Sequence, residues 1–157
     1  MSTGQRPVSR AEIVQAARAW LGTPYQHQAS QIGLGCDCLG LVGGVWAQLY
    51  GAWPEAAPPY RPDWAELGTD EPLLCAAHRH FTALPLAADL LPGDLVLFRM
   101  SPVAQIKHCA LVSAPAAPKA EARIIHAYWG RAVVESWLGP WWRRRLAARF
   151  SFPNVRD

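Results

Sequence analysis

The run Gly35-Cys36-Asp37-Cys38-Leu39-Gly40-Leu41-Val42 is the strongest local constraint in this chain. A glycine-flanked turn leads to Asp37, a residue type whose short carboxylate accepts from the free N–H groups at a helix start. Apolar residues then recur at 41, 42, 45, 46 and 49, the spacing of one helix face, and Gly51 supplies a stop. The pattern predicts a helix from about Cys38 to Tyr50 that opens on the cysteine itself. A thiol placed there feels the positive end of the helix macrodipole and nearby unpaired N–H groups, and both favour the thiolate. A reactive cysteine also needs a base within reach, so the rest of the chain is read for one.

The elements around that helix change character along the chain. Ser9-Arg10-Ala11-Glu12 is a capping-box pattern, and Ile13, Ala16, Ala17, Trp20 and Leu21 follow at helical spacing until Gly22 and Pro24. A loop from Gly22 to Gly35 leads to the cysteine. A proline-rich irregular stretch from Ala52 to Asp63 precedes a third helix, from Thr69-Asp70-Glu71-Pro72 to about Phe81. Strands are then expected at Leu95–Phe98, Ile106–Ser113, Arg123–Tyr128, Val133–Ser136 and Leu146–Phe152, with Leu91-Pro92-Gly93-Asp94 as a turn and Ala114 to Ala122 as a surface loop. Helices precede strands instead of alternating with them, which points to an α+β domain. With 157 residues and no internal repeat, the chain is read as one domain, 1–157.

Composition removes several function classes. Charged residues are only 17% of the chain, yet no apolar run approaches the ~20 residues of a membrane span. The net charge of +3 is mild, and no basic stripe with interleaved aromatics marks a nucleic-acid binder. Met1 to Pro7 carries no charged segment followed by an apolar one, so no signal peptide is expected. The cysteines at 36, 38, 75 and 109 follow neither a disulfide framework nor a paired CxxC zinc pattern, and reduced thiols are expected.

Two histidines stand out as partners for Cys38. Period-2 alternation puts His108 on a strand face with Ile106, Ala110 and Val112, leaving Lys107, Cys109 and Leu111 on the other. His126 shares a face of the next strand with Ile124 and Tyr128. Neighbouring strands then present two imidazoles side by side, and a helix packed on that face brings the Cys38 sulfur to them. By residue type alone, a pair of packed core histidines fits equally well. A zinc site from Cys36, Cys38, His108 and His126 is the chemical alternative, with weak C-x-C ligand spacing.

The remaining candidates have simpler readings. Cys36 is a packed thiol just outside the helix, Cys109 a core thiol facing away from His108, and Cys75 a structural residue of the third helix. His27, His78 and His80 fall where solvent exposure explains them. Trp20 and Trp46 suit helix core faces, whereas Trp53, Trp64, Trp129, Trp137, Trp141 and Trp142 fall in or near loops. Trp141-Trp142-Arg143-Arg144-Arg145 combines residues enriched at interface hot spots, with a solvated turn before the last strand as the alternative.

Five blocks then occur in order: Gly22-Thr23-Pro24-Tyr25, Asp37-Cys38-Leu39-Gly40-Leu41, Leu91-Pro92-Gly93-Asp94-Leu95, Lys107-His108-Cys109-Ala110 and Ile125-His126-Ala127. Together, over about Ala11 to Pro153, they resemble the NlpC-type cell-wall cysteine peptidases, a bacterial papain-like family. The chain looks most like the branch encoded with phage tails and gene transfer agents. The resemblance implies a papain-like α+β fold, N-terminal helices packed on a C-terminal antiparallel sheet. It implies hydrolysis of peptidoglycan stem peptides beside D-glutamate and a diamino acid, with neither metal nor cofactor.

By the same resemblance Cys38 is the nucleophile, His108 the general base and His126 its orienting group. Tyr25 matches a tyrosine near the nucleophile that serves substrate binding or the oxyanion hole, and Asp37 a residue that contacts the substrate amine. The family commonly has serine after the cysteine, where this chain has Leu39, and an aliphatic residue where it has Cys109. Partners implied are the stem peptide and tail-tip or hub proteins of a phage-like particle. Such a protein is made in the cytoplasm without a leader and acts in the periplasm from the particle. A catalytically silent tail component and a papain-like acyltransferase or amidase are the rival classes. Relatives of the latter kind often place histidine before cysteine, the reverse of the order here.

Overall fold

The capping box at Ser9 closes as its sequence predicts: the Ser9 hydroxyl accepts from Glu12 N at 3.1 Å, and Glu12 Oε2 accepts from Ser9 N at 2.7 Å. It starts helix α1, Arg10–Arg18, in a computed structural model that describes residues 4–53, 71–128 and 130–157. The helix ends before Trp20, which is nevertheless buried in the turn that follows. Next comes a short antiparallel ribbon, β1 (Ser30–Gln31) with β2 (Gly35–Cys36), inside a segment the sequence marks only as loop. Helix α2 spans Cys38–Tyr50, the predicted bounds. It holds three glycines yet stays regular, because Gly44 lets the Trp20 ring lie against the helix where a Cβ would collide with it.

Helix α3, Pro72–His80, leads into β3 (Thr82–Leu84), a strand not anticipated in the sequence. Then follow β4 (Leu95–Arg99), β5 (Ile106–Ala114), β6 (Arg123–Ala127), β7 (Val133–Trp137), a single helical turn α4 (Pro140–Arg143) and β8 (Leu146–Ser151). Six strands pair antiparallel in the order β3-β8-β4-β5-β6-β7. The result is an α+β fold with the N-terminal helices packed on the C-terminal sheet. The proline-rich stretch beyond Trp53, the predicted third-helix start at Thr69-Asp70, Trp64 and Trp129 lie outside the described residues.

The two sheet faces bury different cores. On the helix side Leu95, Leu97, Cys109, Leu111 and Ile125 pack with Leu41, Val42 and Val45 of α2. On the far side Val96, Phe98, Ala110, Val112 and Ile124 form a smaller cluster. Ile106 corrects the simple alternation: it belongs to the helix-side core, not to the face of His108. Phe98 pairs with His108 but Arg99 pairs with Ile106, so β5 carries one extra residue, Lys107, at a bulge that inverts the alternation. The helix also packs on the face opposite Ala110 and Val112. Cys38 therefore meets His108 at the bulged start of β5, not from above its face.

Asp94, in the Leu-Pro-Gly-Asp-Leu block, ties sheet to helix. Its buried carboxylate accepts from Arg149 Nε at 2.7 Å, Arg10 Nη1 at 2.9 Å and Leu91 N at 2.9 Å. Arg149 is itself 4% exposed, so removing the carboxylate strands a buried cation. Asp94→Asn should lower unfolding stability by about 3–5 kcal/mol in urea titration. Arg149→Met should lose less, because Arg10 still pairs with the acid; an equal or larger loss would contradict this account.

Candidate functional site

The local fold makes α2 start at Cys38. Asp37 Oδ1 accepts from Gly40 N at 2.7 Å, and Oδ2 accepts from Gln28 N at 2.8 Å, so one carboxylate caps the helix and anchors the preceding loop. Gly40 has to lack a side chain, since a Cβ there would run into the Ala29 carbonyl oxygen. The Ser30 hydroxyl donates to the Gly40 carbonyl at 2.7 Å and closes the same contact. The Cys38 thiol, half-buried, lies 3.7 Å from the Lys107 carbonyl oxygen at the β5 bulge.

The imidazoles continue the line. His108 Nε2 is 2.9 Å from His126 Nδ1, and His126 Nε2 is 3.3 Å from the Ser136 hydroxyl. With Nε2 engaged, Nδ1 is the His108 nitrogen left for the thiol. If Cys38 and His108 form a thiolate–imidazolium pair, His108 Nε2–H donates to His126 Nδ1 and His126 Nε2–H donates to Ser136. Burial, helped by the nearby charge of His108, pushes His126 down to about 3, so this ring stays neutral and orients its neighbour by hydrogen bonding alone.

The thiols are tuned in opposite directions. A hydrogen bond from the Cys109 thiol, with the hydrogen bond and charge of His108, outweighs burial and the Asp37 carboxylate and holds Cys38 down to about 5. Cys109 is pushed up, by its hydrogen bond to Cys38 and by burial, and keeps its proton. Its Sγ also lies 3.4 Å from the Cys38 carbonyl oxygen, the alternative acceptor for its single proton. Cys109 is thus a core thiol facing away from His108, as alternation predicts, and that direction points it at Cys38. Cys36 is buried in β2 and pushed up to about 12, first by burial and then by Asp37 and Cys38. Cys75 is exposed on α3, not packed as expected, because α3 turns only Leu73 and Ala77 fully inward. All four thiols are unpaired in disulfide terms.

Tyr25 bridges to Cys36 through the backbone and is half-buried. Burial, followed by the negative charges of Cys38 and Asp37, pushes its phenol up, so it remains a neutral hydrogen-bonding group beside the thiol. A groove of about 510 Å³ runs along the outer side of α2, lined by Asp37, Leu39, Gly43, Trp20 and Trp53 among others. Leu39 puts an apolar wall there, where serine would put a hydroxyl. Among the described residues no group of three or more His, Cys, Asp or Glu is placed to hold a metal ion, so the Cys36, Cys38, His108 and His126 zinc alternative is not assembled.

No family model matches the sequence, and no curated protein does. Solved structures do match. An NlpC/P60 family protein from Bacillus cereus superposes with TM-score 0.61 at 18% identity, over 94% of this chain and 41% of its own. The NlpC/p60 domain of the peptidoglycan hydrolase SagA gives 0.59 at 24% identity, over 92% of this chain and 100% of its own. A lipoprotein-like NLP/P60 family protein from Staphylococcus aureus gives 0.57 at 16% identity, over 100% of this chain and 46% of its own. The chain has the NlpC/P60 fold. It spans less than half the length of the Bacillus and Staphylococcus proteins and the whole of the SagA domain.

Within that fold the structure brings Cys38, His108, His126, Asp37 and Tyr25 together. Two neighbours escaped the sequence reading. Ser136 was legible in principle, since alternation along β7 puts it on the face of Val134, the partner of His126. Trp142, whose ring lies against both imidazoles, was not, because no periodicity fixes where a four-residue turn points.

The Cys38 thiolate is present above about pH 5 and is lost as pH falls through that value. Mass-resolved alkylation by iodoacetamide should therefore modify Cys38 with a midpoint near pH 5, while buried Cys36 and Cys109 stay unreacted and exposed Cys75 serves as the internal reference. A Cys38 midpoint in the ordinary thiol range would show an unactivated cysteine.

Proposed function

We propose that this protein is a cysteine peptidase of the bacterial cell wall, cutting peptidoglycan stem peptides beside D-glutamate and a diamino acid. The observation that carries the reading is the half-buried thiol at the start of α2, facing His108 while the far nitrogen of His108 is held 2.9 Å from His126. The fold shared with SagA, named a peptidoglycan hydrolase, supports the substrate class. The order Cys38, His108, His126 supports a peptidase over an acyltransferase.

In this mechanism the Cys38 thiolate attacks the stem-peptide carbonyl carbon and forms a tetrahedral oxyanion. The Cys38 backbone N–H, in the first turn of α2, and the neutral phenol of Tyr25 donate to that oxyanion. Collapse breaks the C–N bond as the His108 imidazolium gives its proton to the leaving amine. Water, deprotonated by His108, then cleaves the thioester and returns the thiol. His126 keeps the His108 ring aimed at the sulfur throughout. Asp37, which lines the groove, is the acidic group assigned to the substrate amine. No metal or cofactor enters these steps. The motif resemblance further supports carriage on a phage-like tail, with action in the periplasm that aids penetration of the envelope; absence of the chain from purified particles would remove that part alone.

Digestion of purified peptidoglycan with fragments identified by mass spectrometry tests the activity. Wild type should release stem-peptide fragments and Cys38→Ala none, while keeping its fold. His108→Ala should lower the rate by about 10²–10⁴-fold, and His126→Ala by less, because it removes orientation and not the base. Fragments from Cys38→Ala would refute the assignment. No fragments from either protein would favour a silent tail component.

A further inference from the structure

The Trp141-Trp142-Arg143-Arg144-Arg145 run is a solvated turn at Trp141, Arg143 and Arg144, whereas Trp142 is turned inward. It forms α4 and the residues after it, and its chain is pinned on every side. Leu138 N donates to the Ala122 carbonyl at 2.7 Å before the turn, and Arg99 N donates to the Arg145 carbonyl at 2.8 Å after it. Arg145 Nη1 donates to the Trp141 carbonyl at 2.7 Å, and the same guanidinium stacks 3.7 Å from the Trp141 ring centre. Arg143 pairs with Glu121. A four-residue turn held this firmly aims a side chain, and the side chain it aims is Trp142.

The Trp142 ring centre lies 5.3 Å from His108, 5.0 Å from His126, 5.3 Å from Tyr128 and 5.0 Å from Phe98. The two imidazoles meet it differently. His108 is tilted 33° from the indole plane with ring centres 5.3 Å apart, within the reach over which an aromatic ring attracts an imidazolium. His126 stands at 82°, edge to face, so the indole occupies the space into which that ring would turn. One residue thus packs against both imidazoles and restrains how either can turn.

We propose that Trp142 is a positioning residue for the proposed catalytic pair, its indole holding the His108 and His126 rings in the orientation that serves Cys38. The inference rests on the reading of His108 as the base of Cys38. It adds a member from outside the Cys-His-His set, delivered by the turn before the last strand. Misplacing a base by about an ångström is enough for losses of about a hundredfold, which is the scale at which such a wall acts.

The test uses the full chain and two readouts. Thiol alkylation of Cys38 by iodoacetamide across pH needs no peptidoglycan, so it separates failure of this proposal from failure of the substrate assignment. Trp142→Ala should move the alkylation midpoint upward, towards the ordinary thiol range, and lower kcat on peptidoglycan by about ten- to a hundredfold with little change in KM. Trp142→Phe, which keeps an aromatic face, should restore most of both. Where Trp142→Ala fails to fold, Trp142→Leu takes its place: it fills space without a π face and should still shift the midpoint. An unshifted midpoint with kcat within about twofold of wild type in the folded Ala or Leu variant would overturn the proposal. So would a Phe variant as impaired as the Leu one.

Discussion

The carboxylate of Asp37 fixes where everything else can act. Its two oxygens hold Gly40 N and Gln28 N, so the first turn of α2 and the loop carrying Tyr25 become one rigid corner. An N-cap of this kind is worth about 1 kcal/mol as a helix signal, small beside the burial of α2. Its larger consequence is positional: it makes residue 38 the first helical residue, the one place where a side chain sits at the helix start and still faces the sheet. The sheet answers with an irregularity. Were β5 regular, His108 and the helix would lie on opposite faces of a continuous strand. The extra residue at Lys107 breaks the strand's alternation where α2 begins, and there the thiol and the imidazole meet.

The parts of the fold visible in the sequence are those with a long period or a capping chemistry. Helix α2 follows from Asp37, the apolar stripe and Gly51, and the central strands follow from runs such as Leu95-Val96-Leu97-Phe98 bounded by turn residues. What was hidden lacked either signal. The β1–β2 ribbon is two residues a side, and β3 shows no clean alternation. The bulge at Lys107 is a matter of register between strands, which a single strand's sequence does not contain. That one register shift misplaced Ile106 and the approach of the helix. The histidines were nonetheless correctly faced, because both lie beyond the bulge, where alternation holds.

The site was legible as a set of residues and not as a network. Cysteine at a helix start and histidines on adjacent strands follow from local patterns, and the structure adds the order in which they touch. Cys109 shows the difference. By alternation it turns away from His108, which is correct, and from that the sequence reading made it a bystander. In three dimensions the helix-side core is where Cys38 sits, so the residue facing away from the base faces the thiol. Trp142 shows the converse: its composition cluster was conspicuous, but only the pinned turn reveals that its ring closes on the imidazoles.

A neutral third member changes how the proposed thiolate has to be stabilised. An orienting carboxylate would lend the His108 imidazolium a full negative charge, whereas His126, held down to about 3 by burial and its neighbour, lends a hydrogen bond. Stabilisation of the ion pair then falls more heavily on groups around the sulfur and around the His108 ring. Three groups are placed to do this: the helix start, the Cys109 thiol that hydrogen-bonds Cys38 and, by the proposal for it, the indole of Trp142. Each acts on one partner of the pair without adding a charge that would have to be desolvated. In a site packed this closely against the sheet core, that arrangement favours the ion pair over the neutral pair without burying a further ion, whose desolvation runs to several kcal/mol in order of magnitude.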